Sequence, residues 1–373
     1  MTVLNIYSEK DSLDPSRRQV VLLDPFWGAP PEEASSPANG RFDEYIRLGH
    51  DFFRLTDWDR ANIVVAPNEW AAGGPNEAAR ALSARALAAG KPAVLFFNHD
   101  SDEEIAVEGA FVFRTSFARS RRRENEFAFP AWSEDFLRHT GGGLAVRPKA
   151  AKPRVGYCGY AAPERAARQE TFVAPLRRLP GGGRLLRALG LGVSGHRGLR
   201  LRSEALRRLA ESARVEADFL RRRAFWNGAL SGTPAPLFIQ QTRREFVQNM
   251  VGSDYILCVR GAGNFSYRLY ETLSCGRIPV FLDTDCALPY DQWIDWRRLC
   301  VWVEEGDVAH IAERVAAFHA GLSPAEFQER QRECRRVWEE WLSPTGFFAN
   351  FHRHFGPSPS EQGPLEQGRP CAS

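Results

Sequence analysis

The stretch ILCVRGAGNFSYRLYETLSCGRIPVFLD, residues 256–283, joins two short apolar runs through a glycine-containing turn and a helical pattern. Leu269 and Leu273 are four residues apart, so they share the face of a helix that can pack on a sheet. Gly276 follows as a helix stop, and Pro279 fits only at the start of the next strand. The stretch therefore predicts strand, turn, helix and strand, the repeating unit of a parallel α/β sheet.

The glycines allow a first interpretation, a dinucleotide-binding turn. Such a turn needs glycines directly after a strand, a helix N-terminus at the pyrophosphate and an acidic residue about twenty positions further on. Gly261, Gly263 and Asp283 meet these requirements. Ser266 stands where the third glycine or alanine is expected. The partial match makes an NAD-dependent oxidoreductase one hypothesis.

Polar residues inside the helix support a second interpretation, a different nucleotide site. Arg268 and Glu271 are three residues apart and lie on one side of the first turns. A helix N-terminus offers free N–H groups and partial positive charge, to which Ser266 and Arg268 add. Glu271, one turn deeper, is placed to accept hydrogen bonds from a ribose diol. The alternative is a mutual Arg268–Glu271 salt bridge on an exposed face.

A longer window, SDYILCVRGAGNFSYRLYETLSCGRIPVFLDTDCALPYDQWIDW, resembles the core of exostosin-like glycosyltransferases of family 47. That family has S-x-R-x-x-E on a helix, G-x-x-P-V on the next strand, an acidic loop, L-P and D-W. The residues that match are Ser266, Arg268, Glu271, Gly276, Pro279, Val280, Leu288, Pro289, Asp295 and Trp296. The resemblance covers roughly residues 240–300. It implies a GT-B architecture, two Rossmann-like domains facing across a cleft, and inverting, metal-independent transfer from a donor held by the C-terminal domain.

Length and composition agree with two soluble α/β domains. The chain has 373 residues, 43% hydrophobic and 25% charged, with a net charge of +3 that indicates no particular partner. Its seven cysteines are scattered singly and odd in number, which argues against a disulfide framework or zinc motif. Because no leader or membrane-length apolar run is found, we expect a cytoplasmic protein.

Short apolar runs followed by polar or turn residues predict buried parallel strands in the first part of the chain. These runs are VVLLD ending at Asp24, NIVVAP at Pro67, AVLFFNHD at Asp100 and AFVFRTS at Ser116. Residues 139–154 are rich in Gly, Pro and Lys and mark an interdomain linker. We predict an acceptor domain at 1–145, a nucleotide-sugar domain at 146–345 and a segment, 346–373, that crosses back to the first domain and is then disordered.

Residues 172–223 are rich in arginine, with the helical spacing of Leu201, Leu206 and Leu209. This pattern fits a solvated helix face, or a basic surface for an anionic acceptor or lipid headgroup. The partners expected are a nucleotide-sugar donor and a glycan or lipid-linked glycan acceptor, with peripheral contact at the inner membrane surface as an option and no nucleic acid.

The resemblance assigns roles around the helix. Without a metal, Arg268 and the helix N-terminus would meet the charge of the leaving diphosphate. Arg260 is either a second phosphate ligand or a structural ion pair, and Asn264 either caps the helix or touches phosphate. The predicted donor-site residues are Tyr157, Arg260, Gly263, Asn264, Ser266, Arg268, Glu271 and Asp285. The DTD at 283–285 and the DSD at 100–102 resemble metal motifs, but we expect no metal and no cofactor beyond the nucleotide sugar.

An inverting transfer needs a general base for the acceptor hydroxyl. In the implied architecture this base comes from the end of a strand in the first domain. Five residues qualify by position: Asp24, Glu69, His99, Asp100 and Glu103. We favour Asp100, then His99. Arg114 and Ser116 are candidates for binding acceptor or diphosphate.

The hypothesis is therefore an inverting glycosyltransferase, a hexosyl- or pentosyltransferase of polysaccharide biosynthesis that uses a UDP-sugar and a glycan hydroxyl. The alternatives are the NAD-dependent oxidoreductase and a non-catalytic nucleotide- or glycan-binding protein.

Overall fold

The computed structural model describes residues 2–30, 40–161, 197–224 and 236–356. The chain forms two compact units. Unit 1 holds the described residues up to Trp132, then Ala287–Trp296, and those from Val337 on. Unit 2 holds the described residues of Ser133–Cys286 and Arg297–Arg336. Each unit has a parallel sheet and helices, which confirms the predicted α/β class.

Unit 1 is built on a six-stranded parallel sheet with strand order β2-β1-β3-β4-β5-β6. Its strands are β1 (Leu4–Tyr7), β2 (Phe53–Leu55), β3 (Ile63–Val65), β4 (Ala93–Phe97), β5 (Ala110–Arg114) and β6 (Glu126–Ala128). The helices of this part are α1 (Asp24–Trp27), α2 (Asp43–Leu48) and α3 (Glu77–Ala88). Strands β3 and β4 are buried throughout, as expected for β-branched and aromatic runs covered on both faces.

Unit 2 is built on a five-stranded parallel sheet with strand order β11-β10-β9-β7-β8. Its strands are β7 (Arg154–Tyr160), β8 (Glu216–Arg222), β9 (Tyr255–Cys258), β10 (Ile278–Asp283) and β11 (Val301–Glu304). The helices that follow α3 in the described residues are α4 (Arg197–Glu211), α5 (Pro236–Val251), α6 (Tyr267–Ser274), α7 (Trp296–Leu299), α8 (Ile311–Ala320) and α9 (Pro324–Val337). The quoted stretch thus forms β9, α6 and β10, as predicted.

The chain returns to unit 1 through helix α10 (Pro344–Ala349). Phe347, Phe348 and Phe351 are buried there, and the Phe351 ring lies 4.7 Å from the ring of Phe113 on β5. These aromatic side chains bury large apolar areas, so the returning segment is part of the unit 1 core. Residues 357–373, where disorder is predicted, lie outside the described residues.

One predicted strand is wrong. Residues Val21–Leu23 of the VVLLD run form a short 3-10 turn, and Asp24 begins α1 rather than ending a strand. Pro25 stands in the first turn of α1. Proline is favourable at a helix start and cannot donate to a sheet ladder, which explains the outcome.

The predicted division at 145/146 differs from the division after Trp132. The reason is the packing of residues 133–145. Glu134 and Phe136 are buried within unit 2, and the Phe136 ring lies 5.6 Å from the ring of Phe246 on α5. Arg277 also donates to the Ala145 carbonyl at 3.0 Å. Residues 133–145 therefore belong to unit 2, and the glycines at 141–143 do not mark the boundary between the two units along the chain.

Two smaller predictions are confirmed. Leu201, Leu206 and Leu209 are buried on one face of α4, while residues 172–196 of the basic stretch lie outside the described residues. Cys258 and Cys275 are buried free thiols. Across the described part of the chain, no helix is both long and apolar enough to cross a membrane.

Candidate functional site

The candidate site lies where the strand order of unit 2 reverses. Strands β7 and β9 are neighbours, and the chain leaves them toward opposite edges of the sheet. In open parallel sheets, ligands bind at the carboxyl ends of strands beside such a reversal. Helix α6 begins shortly after the carboxyl end of β9, so its N-terminal turn lies at this position.

Arg268 is fixed over the carboxyl end of β7. It is half-buried, and its Nη2 donates to the Cys158 carbonyl at 2.7 Å. The guanidinium carbon is 4.3 Å from the centre of the Tyr157 ring and 5.4 Å from that of Phe246. Cation–π stacking and the carbonyl bond hold the group in one place. Among the described residues, no carboxylate lies at ion-pair distance from Arg268.

Because Gly159 has no side chain, the guanidinium of Arg268 can occupy the space beside it. A Cβ at this position would lie 2.8 Å from Nη2 of Arg268 and 3.3 Å from the Tyr157 hydroxyl. Burial by itself lowers the pKa of Arg268, but Tyr157 and Glu271 outweigh it and the net pKa lies above its ordinary value. The guanidinium is therefore a permanent positive charge.

Glu271 lies one turn further along α6 and is 7% exposed. Burial raises its pKa, while the nearby charges of Arg268 and Arg243 lower it, and the net pKa is above its ordinary value. Within the described residues, its carboxylate makes no hydrogen bond and no ion pair. The alternative of an exposed Arg268–Glu271 salt bridge is therefore wrong. A buried carboxylate without hydrogen-bond donors is costly, and a ligand that supplies hydroxyl groups accounts for it.

Arg243, which the sequence analysis did not predict as a site residue, lies beside Glu271. It is on α5, 8% exposed, and forms an ion pair with Glu134. Glu134 is 2% exposed, accepts a hydrogen bond from Nε of Arg138 at 2.6 Å and bonds Nε2 of His139 at 2.9 Å. Burial lowers the pKa of Arg243 to about 10, against the opposing effect of Glu271. The Glu134 carboxylate thus fixes the arginine that faces Glu271.

The loop between β9 and α6 is braced by Asn264. Its Oδ1 accepts from Nη1 of Arg260 at 3.0 Å and from the Thr284 hydroxyl at 2.6 Å, and its Nδ2 donates to the Asp285 carbonyl at 3.0 Å. The predicted helix cap is wrong, because Ser266 is the N-cap residue of α6, and its own side chain makes no capping bond. Gly263 and Ser266 are buried in the same loop.

The acidic DTD sequence forms a turn. Asp283 is 2% exposed, and its Oδ1 accepts from the Cys286 backbone N–H at 3.0 Å. Asp285 has a left-handed φ of 63°. This use of Asp283 explains its presence without a ribose or a metal. Among the described residues, no group of three or more His, Cys, Asp or Glu side chains is placed to hold a metal ion.

The residues favoured as general base, Asp100 and His99, are exposed and follow β4. Nδ1 of His99 accepts from the Ser101 backbone N–H at 2.9 Å, and its ring stacks on Phe97. The Asp100 backbone carbonyl accepts from the Ser116 hydroxyl at 3.0 Å. These contacts do not single out either side chain as a base, and their catalytic roles stay predictions.

Arg114 has a structural role within unit 1. It is 2% exposed, forms an ion pair with Glu126 at 3.0 Å and donates through Nε to the Ser116 carbonyl at 3.1 Å. Ser116 is buried as well. A part for these two residues in binding acceptor or diphosphate stays a prediction.

Glu69 is distinguished from the other position-based candidates. It follows β3, beside the place where the unit 1 strand order reverses between β1 and β3, and its side chain is 12% exposed. Burial raises its pKa to about 7, although Arg18, Asn98 and Arg41 lower it; Asp24 adds to the increase. Glu103, by contrast, accepts from the Gly73 backbone N–H at 3.1 Å and from the Trp70 indole at 3.3 Å.

Comparisons with known proteins centre on the same part of unit 2. Residues 218–318 match the Exostosin GT47 domain. Over 100 residues the chain is 29% identical to the exostosin-1 homolog of Caenorhabditis elegans, covering 27% of this chain and 25% of that protein. It is 30% identical over 102 residues to exostosin-1 of Drosophila melanogaster, covering 27% and 13%. It is 36% identical over 75 residues to a probable glucuronosyltransferase 47 A of Physcomitrium patens, covering 20% and 17%.

A solved structure of a glycosyltransferase from Rickettsia africae ESF-5 aligns over 96% of this chain and 100% of that chain, with a TM-score of 0.35 and 7% identity. The chain spans a quarter or less of the length of the curated relatives described above.

The segment at residues 218–318 is thus exostosin-like, which confirms the predicted resemblance to family GT47. Helix α6, with Arg268 and Glu271, lies inside this segment.

Proposed function

We propose that this chain is an inverting, metal-independent glycosyltransferase that moves a sugar from a UDP-sugar to a hydroxyl of a glycan or glycoconjugate. One observation carries the proposal. At the strand-order reversal of unit 2, Arg268 and the buried carboxylate of Glu271 have no ion-pair partner among the described residues. A nucleoside diphosphate supplies what each group lacks, an anion for the first and hydroxyl donors for the second.

In the donor complex, Arg268 and the N–H groups at the start of α6 hold the two phosphates. During transfer, negative charge grows on the leaving diphosphate, and the fixed guanidinium stabilises that charge without reorganisation. The Glu271 carboxylate accepts hydrogen bonds from the ribose diol. Burial raises the pKa of Glu271, and the charges of Arg268 and Arg243 both act against that increase.

The acceptor hydroxyl loses its proton to a general base as its oxygen bonds to the anomeric carbon. The bond between that carbon and the diphosphate oxygen breaks at the same time, with inversion. A base works best when its pKa is close to the working pH. Glu69 meets this requirement because burial raises its pKa to about 7, while Asp100 and His99 remain the sequence-based candidates.

The proposal is tested with a panel of UDP-, GDP- and TDP-sugars, measuring binding and slow hydrolysis of the full chain. We expect a UDP-sugar to bind and hydrolyse, with turnover retained after thorough chelation. Product released by an inverting enzyme has the opposite anomeric configuration to the donor, which NMR detects directly. Loss of turnover on chelation, or retained configuration, would overturn the corresponding part of the proposal.

The same panel, with thermal-shift measurements on NAD and UDP added, separates the alternatives. Binding of UDP-sugars without hydrolysis or transfer to any glycan would indicate a non-catalytic binding protein. Thermal stabilisation by NAD and not by UDP would favour an oxidoreductase. Cytoplasmic location and contact with the inner membrane surface belong to the proposal too, and cell fractionation tests both.

A further inference from the structure

A second arginine, Arg202 on α4, lies at the same edge of the unit 2 sheet. Its Nη1 donates to the Tyr160 carbonyl at 3.1 Å, and its Nη2 donates to the Arg260 carbonyl at 3.2 Å. Helix α4 approaches this loop closely, because a Cβ at Gly198 would collide with the carbonyl oxygens of Arg260 and Gly261. The backbone therefore fixes the Arg202 guanidinium beside the carboxyl ends of β7 and β9.

Arg202 and Arg268 are close enough for their charges to interact through the environment of Tyr157. Burial lowers the pKa of Arg202, and the positive charge of Arg268 lowers it further, while Tyr157 acts in the opposite direction. The Tyr157 hydroxyl is a hydrogen-bond partner that raises the pKa of both arginines, and it donates to the Tyr160 carbonyl at 2.6 Å. Two like charges thus converge on one side chain.

Neither arginine has a carboxylate partner in the described part of the chain. This is unlike the rest of α4, where Arg207 and Arg208 both pair with Glu204 at 2.7 Å. The Nε atoms of Arg202 and Arg268 are buried and lack an acceptor among the described residues. Keeping two half-buried cations together is unfavourable when no described carboxylate lies at ion-pair distance from either, so the pair is explained by a bound polyanion.

We propose that Arg202 and Arg268 together form a two-arginine clamp for a diphosphate, and that Arg202 is a phosphate-binding residue of this site. The inference rests on the proposed function, since it extends the donor site from one arginine to two. Guanidinium groups suit this task because their planar N–H donors match phosphate oxygens in pairs. The diphosphate of a nucleoside diphosphate then spans the end of β7, with one phosphate on each arginine.

The test is calorimetric titration of the full chain with UDP, inorganic pyrophosphate and uridine. We expect Arg202→Ala to weaken the affinity for UDP and pyrophosphate by 10-fold or more, the loss of roughly one charge-assisted contact. Uridine, which has no phosphate, should bind as in the wild type. Arg202→Lys should fall between the wild type and the alanine variant. Arg208→Ala, on the same helix but paired with Glu204, is the matched control and should bind like the wild type.

Circular dichroism and thermal melts show whether each variant folds. If Arg202→Ala unfolds, Arg202→Lys and the salt dependence of its pyrophosphate affinity decide instead, and a wild-type affinity and salt slope would overturn the clamp. Wild-type affinity of Arg202→Ala for both phosphate ligands would also overturn it. If Arg268→Ala weakens UDP binding while Arg202→Ala does not, the clamp fails and the proposed function stands. If the wild type binds pyrophosphate through Arg202 but shows no transfer, the clamp stands and the proposed function fails.

Discussion

Gly159 and Arg268 share one small volume at the end of β7: a Cβ on residue 159 would lie 2.8 Å from Nη2 of Arg268. The backbone at 159 therefore decides where the guanidinium stands. We predict that Gly159→Ala displaces Arg268 and weakens UDP affinity by about tenfold, the loss of one charge-assisted contact. Isothermal titration measures this change. Gly306→Ala is the control, because a Cβ there meets nothing within 4 Å; equal affinity of both variants would contradict the role of Gly159.

The Glu271 carboxylate should lower the stability of the folded chain and contribute to UDP binding. Since burial raises its pKa above the ordinary value, the folded chain binds more protons than the unfolded chain between those two values. Stability is highest below the ordinary pKa and falls as the pH rises through the raised one. We expect Glu271→Gln to increase the free energy of unfolding at pH 8 by about 1 kcal/mol while it weakens UDP binding about tenfold. Denaturant unfolding and titration measure the two effects; a variant that binds UDP normally would refute the ribose contact.

The pH–rate profile and the effect of substitution should differ according to whether Glu69 or Asp100 is the general base. If Glu69 is the base, transfer falls below about pH 7, and Glu69→Gln lowers kcat by about 100-fold or more with UDP affinity unchanged. Asp100→Asn should then keep the wild-type pH–rate profile. Steady-state rates from pH 5 to about pH 9 distinguish the two. The reverse pattern would restore Asp100 as the base.

Glu69 also predicts a pH dependence of stability that is separate from catalysis. Its pKa is raised from 4.5 to about 7, so its contribution to stability is present below pH 4.5 and is lost as the pH rises through about 7. Thermal melts should show Glu69→Gln to be more stable than the wild type at pH 8, with a smaller difference at pH 4.5. A difference that does not vary with pH would show that burial does not shift this group.

The ion pair between Glu134 and Arg243 should matter for stability. Both side chains are buried, and removal of one partner leaves the other charge without compensation. We predict that Glu134→Gln lowers the free energy of unfolding by about 3 kcal/mol. Glu216→Gln, at an exposed pair with Arg154, should change it by less than about 1 kcal/mol. Urea denaturation measures both, and equal losses would indicate that the buried pair is not special.

The secondary-structure elements that were predicted correctly from the local sequence pattern are the buried ones. Strands β9 and β10 are short apolar runs covered on both faces, and α6 has its leucines at helical spacing, so each was predicted from its own residues. Strand β8 was missed. It is an edge strand whose residues EADFLRR are largely exposed, and a charged, exposed segment carries no periodic signal of a strand.

The residues of the candidate site were also predicted only in part. Arg268 and Glu271 were found because their spacing on one helix is visible in the sequence. Glu134, Arg243 and Arg202 were not found, because they meet the site from distant parts of the chain. Contacts of this kind depend on tertiary packing. Arg202 lies in the arginine-rich stretch 172–223, but nothing there distinguishes it from the neighbouring arginines.

The interleaving of the two units along the chain has a consequence for engineering by recombination. Unit 2 begins at Ser133, is interrupted by Ala287–Trp296 and resumes at Arg297. A chimera that exchanges unit 2 at the glycines 141–143 would take Arg243 from one parent and Glu134 from the other. A crossover near residue 133 takes Glu134 and Arg243 from the same parent. The ten residues Ala287–Trp296 must then come from the parent that supplies unit 1.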